Sequence, residues 1–408
     1  MQVLHPRCGG LDVHKDSILA CARIATETGV AQHVETFGTT TSSLLKLSDW
    51  FAGYGVTHVA MEATGVYWRP VWHVLEGVFD LVLANAMHIK NVPGRKTDVN
   101  DAMWIADLLA HGLIRGSFVP PTSVQELRTL TRTRKQLVRE RASHVQRIDK
   151  TLQDANLKLG SVLTDIMGQS GRAILAALVA GETDPEKLVT LVSNRVKAPR
   201  REILEALRGR VTPHHRFLLK LHLDQIATLE EAIAQVDAEV GNSLAPFRAA
   251  AERLTTIPGV SAVAAAVIVS EIGIDMTRFP TVGHLISWAG LCPQNDESAG
   301  KRRSTRLRKG APWLKTTLVQ TAWCATRAQN GYLRAQFLRL KARRGPRKAI
   351  IAVAASILTA AYFMLSRGTD YHDLGPTSLE RGDRQKVARR LVRKLAELGF
   401  QVDLRDAA

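Results

Sequence analysis

Four acidic side chains stand where they could hold divalent metal ions. Asp12 closes an apolar run that reads as a strand, and Glu62 closes another at residues 58–61, so both carboxylates are expected at strand ends. Asp98 and Asp101 lie three apart in KTDVNDAMWIADLL, where Thr97 or Asp98 would cap a helix and both acids would share one face near its positive end. Four carboxylates converging on a small volume repel one another unless cations neutralise them. Hard oxygen donors suit Mg²⁺ or Mn²⁺, and two such ions about 4 Å apart stabilise the attacking and departing oxygens of a phosphoryl transfer. Each acid also has a plainer use: Asp12 can open a turn, Asp98 can cap, and Asp101 can sit on the helix dipole. Glu62 fits such a use least, because a carboxylate between the apolar HVAM and a Thr-Gly turn is costly to bury unpaired.

A second group lies far along the chain. Lys301, Arg302, Arg303, Arg306, Arg308 and Lys309 crowd into a polar, Gly-containing loop at residues 294–310, and no acid occurs from Lys301 to Lys315. Density of that kind points to phosphate contact, since a solvated face interleaves both signs. Ser298 stands just before the run beside Gly300, with Ser304 as a reserve hydroxyl; taken alone, either serine reads as a turn residue. IPGVS at 257–261 opens an apolar helix, so Gly259 permits a tight turn and the free N–H groups behind it suit a phosphate; an ordinary Pro-Gly loop fits equally. Arg128, Arg132, Arg134 and Lys135 on a long helix, and Arg343 and Arg344 in a later cluster, form two further candidate rails for duplex phosphates or folded RNA, or else solvated faces. Trp288, Trp313 and Trp323 occupy apolar positions expected in cores.

The elements carrying these groups change character along the chain. Short β-prone runs at 7–12, 17–26 and 31–38 precede a helix at 42–52, a strand at 57–61, a helix at 67–77 and a strand at 80–84, giving the order β-β-β-α-β-α-β-α. A meander followed by alternating elements describes an α/β layer fold with a mixed sheet, of which the ribonuclease-H-like arrangement is one member. After Pro120-Pro121 long helices take over. Val124, Leu127, Thr131, Arg134, Val138, Arg141, Val145, Ile148 and Leu152 follow a heptad seam, and a second seam runs from Leu219 to Val240, so a projecting antiparallel hairpin is expected. The arginines at seam positions weaken the first pattern.

Composition bounds the partners. The 408 residues carry 55 Lys+Arg against 38 Asp+Glu, a formal net charge of +17, which favours polyanions. The charge is split: the first 110 residues hold 8 basic and 11 acidic side chains, the remaining 298 hold 47 and 27. An acidic metal-binding section before basic nucleic-acid-holding modules fits that split. With 45% hydrophobic residues a disordered or collagen-like chain is excluded. Cys8, Cys21, Cys292 and Cys324 form no C-x-x-C pair, so neither a disulfide framework nor a structural zinc site is indicated and a reducing cytoplasm is expected. No secretory segment opens the chain, and the apolar run at 349–365, short of the roughly 20 residues of a bilayer span, reads as a buried helix.

GLDVHKD (10–16), MEATGVYW (61–68) and NVPGRKTDVNDAMWIADLLAHGLIRGSFVPP (91–121) resemble the DEDD transposases of bacterial insertion sequences, the family numbered one hundred and ten. IPGV (257–260), WAGLCPQNDESAGKRR (288–303) and LRKGAPWLKTTL (307–318) resemble that family's second, transposase-specific domain. The resemblance implies a RuvC-like (ribonuclease-H-like) nuclease domain at 1–121 with Asp12, Glu62, Asp98 and Asp101 as its catalytic, metal-holding set. With the heptads, the IPGVS turn and the polar stretch after Gly368, the rest divides into a helical coiled-coil region at 122–252, a mainly helical, serine-bearing DNA-binding domain with a helix-hairpin-helix-like turn at 253–368, and a polar tail at 369–408. Ser298 then corresponds to a nucleophile forming a transient phosphoserine link to DNA, brought against the four carboxylates within one chain or across subunits. A bridge RNA, donor and target DNA, a dimer-to-tetramer assembly and a bacterial, nucleoid-associated location come from the resemblance alone, whereas the cytoplasm is also what the cysteines suggest. Two rivals stay open: a RuvC-like junction resolvase using water, and a non-catalytic nucleic-acid-binding protein. A sugar-kinase-like ATPase lacks its glycine-rich phosphate loop here.

Overall fold

Apolar strands that alternate nothing polar on either face must be buried on both, and the first part of the chain builds a sheet whose inner strands are of that kind, with an exposed, polar edge strand at residues 29–38. The computed structural model describes residues 3–27, 29–63, 65–85, 89, 100–293, 296–304, 306–308, 310–379 and 384–402. It divides into two compact units, Met1–Val119 and Pro120–Ala408. In the first, β1 (Arg7–Val13), β2 (Ser17–Thr26) and β3 (Gly29–Gly38) form an antiparallel meander, and β4 (His58–Glu62) and β5 (Asp80–Ala84) extend it in parallel, in the order β3-β2-β1-β4-β5.

The pleat sorts the core into two layers. Leu11, Val13, Val59, Met61 and Leu83 pack with Leu44, Leu47 and Phe51 of α1 (Thr41–Gly53) and Val71 and Leu75 of α2 (Trp68–Leu75). Cys8, Ala60 and Ala84 point the other way, onto Ile105, Leu108 and Leu109 of α3 (Asp101–Ala110). The meander and the helices thus follow the order expected from the periodicity; residues 17–26 and 80–84 match at both ends, and the other ranges given in sequence shift by one or two residues at one end or both.

Helix α3 lies against β1 because Gly10 has no side chain. A Cβ there would stand 2.2 Å from Ala102 O and 2.5 Å from Ala106 N. The helix is also tied to β2 by Arg23, 3% exposed, whose Nε donates to Asp107 Oδ1 at 3.1 Å. A buried guanidinium without that carboxylate would be strongly destabilising.

The second unit is helical around two long elements, α4 (Thr122–Asp154) and α9 (Pro213–Ser243). They run antiparallel: Arg134 pairs with Asp237, Arg141 with Glu230, His144 with His222 and Asp154 with His215. The seam is interrupted at the arginines that weaken its pattern in sequence. Only its ends are buried, at Val124, Leu127, Thr131, Ile148 and Leu152, while Val138 is 39% exposed and the middle is held by ion pairs. Between the long helices in sequence, α5 (Leu159–Val162), α6 (Gln169–Ala180), α7 (Pro185–Val189) and α8 (Arg200–Ala206) close a small core of Ile174, Leu175, Leu178, Leu188, Ile203 and Leu207 over Ile148, Leu152 and Ile226.

After α10 (Arg248–Thr255) and the Pro258-Gly259 turn, α11 (Ala262–Ile272) runs through the interior, buried from Ala264 to Ile272. Beyond it come α12 (Val282–Trp288), a hairpin of β6 (Asp296–Ser298) and β7 (Lys301–Ser304), α13 (Pro312–Ala325), α14 (Tyr332–Arg344) and α15 (Pro346–Arg367). The 22-residue α15 is long and apolar enough to cross a membrane by composition. It nonetheless buries a helical stripe, Ala349, Ile350, Val353, Ala354, Ile357, Leu358, Ala361 and Met364, inside this unit, as expected for the apolar run. The tail, expected to be merely polar, contains a further helix, α16 (Arg384–Glu397).

Candidate active site

Strands β1 and β4 are parallel neighbours with Leu11 beside Met61, so the next residues, Asp12 and Glu62, stand side by side at adjacent strand ends. Alternation puts both on the face of Cys8, Gly10 and Ala60, the one α3 covers. Asp12 is partly screened, its side chain 20% exposed, and its Oδ2 lies 3.2 Å from His14 Nε2.

The cap of α3 differs from expectation. Asn100, not Thr97 or Asp98, accepts from Met103 N at 2.8 Å, so Asp101 is the first helical residue. A carboxylate there is favoured by the helix's positive end. Its neighbour Ala102 rests over Gly10, two residues before Asp12, so Asp101 belongs to the same face and region of the sheet. Asp98 lies outside the described residues.

The structure therefore places Asp12 and Glu62 at neighbouring strand ends, with Asp101 at the start of the helix that meets β1 at Gly10. Among the described residues, no three His, Cys, Asp or Glu side chains close into one metal-holding group. The donor chemistry itself, hard carboxylate oxygens, is the kind Mg²⁺ or Mn²⁺ takes. Neighbouring sulfur offers no alternative nucleophile. Burial pushes the Cys8 thiol up to about 11 and the Cys21 thiol up to about 12, and Cys8 Sγ donates to Ala106 O.

The polar loop expected around Ser298 is a tight β-hairpin. Ser298 pairs with Lys301 across Ala299 and Gly300, at φ 51° and 72°. Left-handed backbone at both central positions is the type I′ turn that matches strand twist, and Ala299 adopts it at some steric cost. The base of the hairpin is clamped where Gly290 and Gly310 touch: a Cβ on Gly310 would lie 2.4 Å from Gly290 N. The backbone of Ser298 is placed by this hairpin; its side chain is outside the described atoms, as are those of Arg302, Arg303 and Lys309. Lys301 and Arg306 are exposed, and Arg308 donates to Ser287 Oγ at 3.1 Å.

The other basic residues divide sharply. Arg343 and Arg344 are exposed at the end of α14, beside exposed Arg347 and Lys348. The long-helix set is engaged inside its own unit instead. Arg128 donates to Ser270 O and Glu271 O, and Arg132 grips Glu271, 1% exposed, through two bonds of 2.8 and 2.9 Å. Arg134 is paired bidentately with Asp237, and Lys135 donates to Trp313 O. Gly259, at φ 85°, packs so closely that a Cβ would meet Ala325 N at 2.5 Å, so its glycine character serves the docking of the turn on α13. Of the tryptophans expected in cores, Trp323 is 44% exposed and Trp313 lies beneath Arg132, Lys135 and Arg139.

Three positioning groups escaped the sequence reading: Asn100, the Arg23–Asp107 pair and Glu271. Asn is a preferred cap residue and stands directly before the helix, and a lone Glu inside the apolar AVAAAVIVSEI demands a buried partner. Arg23 gave a weaker version of the same signal, a charge within an apolar strand.

Comparison with known proteins places these residues in matched segments. A family model described as a transposase, of the DEDD type of IS110 elements, covers residues 9–157, and one described as the transposase IS116/IS110/IS902 family covers 251–338. The four carboxylates fall in the first segment and Ser298 in the second. The chain is 25% identical over 296 residues to the transposase for insertion sequence element IS1111A of Coxiella burnetii, covering 71% of this chain and 72% of that one. It is 28% identical over 282 residues to an uncharacterized 44.8 kDa protein of insertion element IS116 of Streptomyces clavuligerus, covering 59% and 68%. A 43.6 kDa protein of insertion element IS110 of Streptomyces coelicolor is 29% identical over 157 residues, 38% of each chain.

Proposed function

The chain belongs to the IS110 family of insertion-sequence transposases, and from that premise we propose that it cuts and rejoins DNA by metal-assisted phosphoryl transfer with Ser298 as the nucleophile. The observation that carries this reading is the placement of Asp12 and Glu62 at adjacent strand ends, on the sheet face covered by the helix that begins with Asp101. The strand order β3-β2-β1-β4-β5 with its antiparallel meander and parallel extension supports a RuvC-like, ribonuclease-H-like domain.

In this scheme Asp12, Glu62, Asp98 and Asp101 hold Mg²⁺ or Mn²⁺, two ions being the number that serves both oxygens. Bound there, the ions supply positive charge against the attacking and departing oxygens. Ser298 Oγ gives up its proton and forms a bond to phosphorus as the phosphodiester bond to the departing deoxyribose oxygen breaks, and that oxygen takes a proton. Attack by another strand's hydroxyl on the phosphoserine reverses the sequence and frees Ser298. The ester conserves the energy of the broken bond, so no nucleotide triphosphate is consumed. Lys301, Arg302, Arg303, Arg306, Arg308 and Lys309 neutralise phosphates around the serine. Donor and target DNA are the substrates, a bridge RNA chooses them, and a dimer-to-tetramer assembly in the bacterial cytoplasm brings the serine to the carboxylates.

The test is to incubate the protein with donor DNA, target DNA, candidate RNA and Mg²⁺, denature it, and map attached DNA. Attachment at Ser298 that disappears in Ser298→Ala and in Asp12→Asn is the expected result. Cleavage at full rate by Ser298→Ala would instead make water the nucleophile, and unchanged recombination by Asp12→Asn would remove the carboxylates from the chemistry.

A further inference from the structure

Within the second unit, α4, α9, the start of α11 and α13 line a half-open cavity of about 430 Å³, inside the roughly 300–1,000 Å³ of small-ligand sites. Its lining is mostly apolar, with Val240 and Val267 buried, Val138 and Val263 partly exposed, and Thr317, Gln320 and Thr321 among the polar members. Its rim carries Lys135 and Arg139, and both lie over the Trp313 ring. Burial first, then the adjacent Arg139, hold the Lys135 ammonium below its usual range, while Glu271 acts the other way. The carboxylate of the lining, Asp237, is paired with Arg134, which leaves Arg139 as the exposed cation of the rim.

An inorganic anion would waste the apolar lining, and a neutral hydrophobe would leave the cations unmatched. We propose that this cavity receives one unstacked nucleotide of a single-stranded nucleic acid, its base on the valines and its phosphate against Lys135 and Arg139. Proteins hold single strands by contact with the base faces and by charge on the backbone; here the valines offer an apolar surface to a base, with no aromatic ring in the lining, and the cations of the rim offer the charge. A duplex keeps its bases stacked inside and satisfies only the cationic half. The proposal deepens the reading of the chain as a nucleic-acid-processing protein, because strand exchange requires unpaired bases, and it rests on that reading for its choice of ligand.

Cys324 supplies the readout, being exposed and part of the cavity wall, whereas Cys292 is half-buried and outside it. Full-length protein is labelled with a maleimide in the presence of an oligodeoxyribonucleotide of about 12 residues, its ribonucleotide equivalent, or the corresponding duplex. Single strand should slow Cys324 labelling about tenfold while the Cys292 rate stays unchanged. Protection should vanish in Arg139→Glu, whose position is exposed, and in Val263→Trp, which fills the cavity. Protection by one sugar alone assigns the site to DNA or to RNA. Equal protection by duplex or by an acidic peptide, or none by any strand, overturns the proposal. Labelling requires no cleavage, so Ser298→Ala should behave as the unaltered chain, and loss of the transposition chemistry would leave this result standing on its own.

Discussion

Replacing Gly10 with Ala presses one methyl group between the sheet and the helix that carries Asp101. The added Cβ would stand 2.2 Å from Ala102 O and 2.5 Å from Ala106 N, where ordinary contact begins at 3.4 Å. Both atoms are main chain, so no side chain can swing aside and α3 must withdraw by about 1 Å in a close-packed interior. Overpacking of this kind costs about 1–3 kcal/mol of stability. The larger effect falls on chemistry, because a 1 Å misplacement of a positioned group costs about a hundredfold in rate. Gly9→Ala is the matched control: its Cβ would meet the Phe51 ring at 2.7 Å, on the sheet face away from α3. Single-turnover DNA cleavage with Mg²⁺, read beside thermal unfolding, should show similar destabilisation in both variants and a rate collapse in Gly10→Ala alone. Full-rate cleavage by Gly10→Ala, or equal rate loss in the two variants, would refute the placement of Asp101 in the site by α3.

Asn100→Ala removes the cap on Met103 N and should cost about 1 kcal/mol, lowering the melting temperature and the cleavage rate together, whereas Asn100→Asp should retain both. Glu271→Ala strands Arg128 and Arg132 without the carboxylate they share and should cost about 3–5 kcal/mol; an unchanged melting curve would contradict a structural use of these arginines. The His222 imidazolium is disfavoured by burial first, then by His144 and Arg147, so its folded pKa lies below the ordinary 6.5. Stability from this group is complete above the unfolded value and is lost as pH falls through the folded one. Urea unfolding at successively lower pH should show that loss, and His222→Gln should flatten it.

Much of the first unit was legible because its signals are local. Strands buried on both faces read as continuous apolar runs, α1 carries a clear helical period, and Pro120-Pro121 stands at the boundary where the units divide. Asp12 and Glu62 were found the same way, as acids at strand ends. The cap of α3 was misread by two to three residues, since Thr, Asp and Asn are all good caps and local preference does not choose among them. The ends of the long hairpin's seam were readable from its heptads, but its middle was not, because Arg134 and Arg141 are admitted there only by Asp237 and Glu230 on the returning helix.

Periodicity and residue type by themselves determined the order of elements, the mixed sheet and the strand-end acids, since each depends on residues within a few positions of one another. Tertiary structure alone decided which cations remain available to a polyanion. Arg128, Arg132 and Arg134 look no different in sequence from Arg343 and Arg344, yet the first three are occupied by Glu271 and Asp237 and the last two face solvent. An ion pair is made by groups more than a hundred residues apart in the chain, and nothing in the composition of one helix records the carboxylate that another will bring to it.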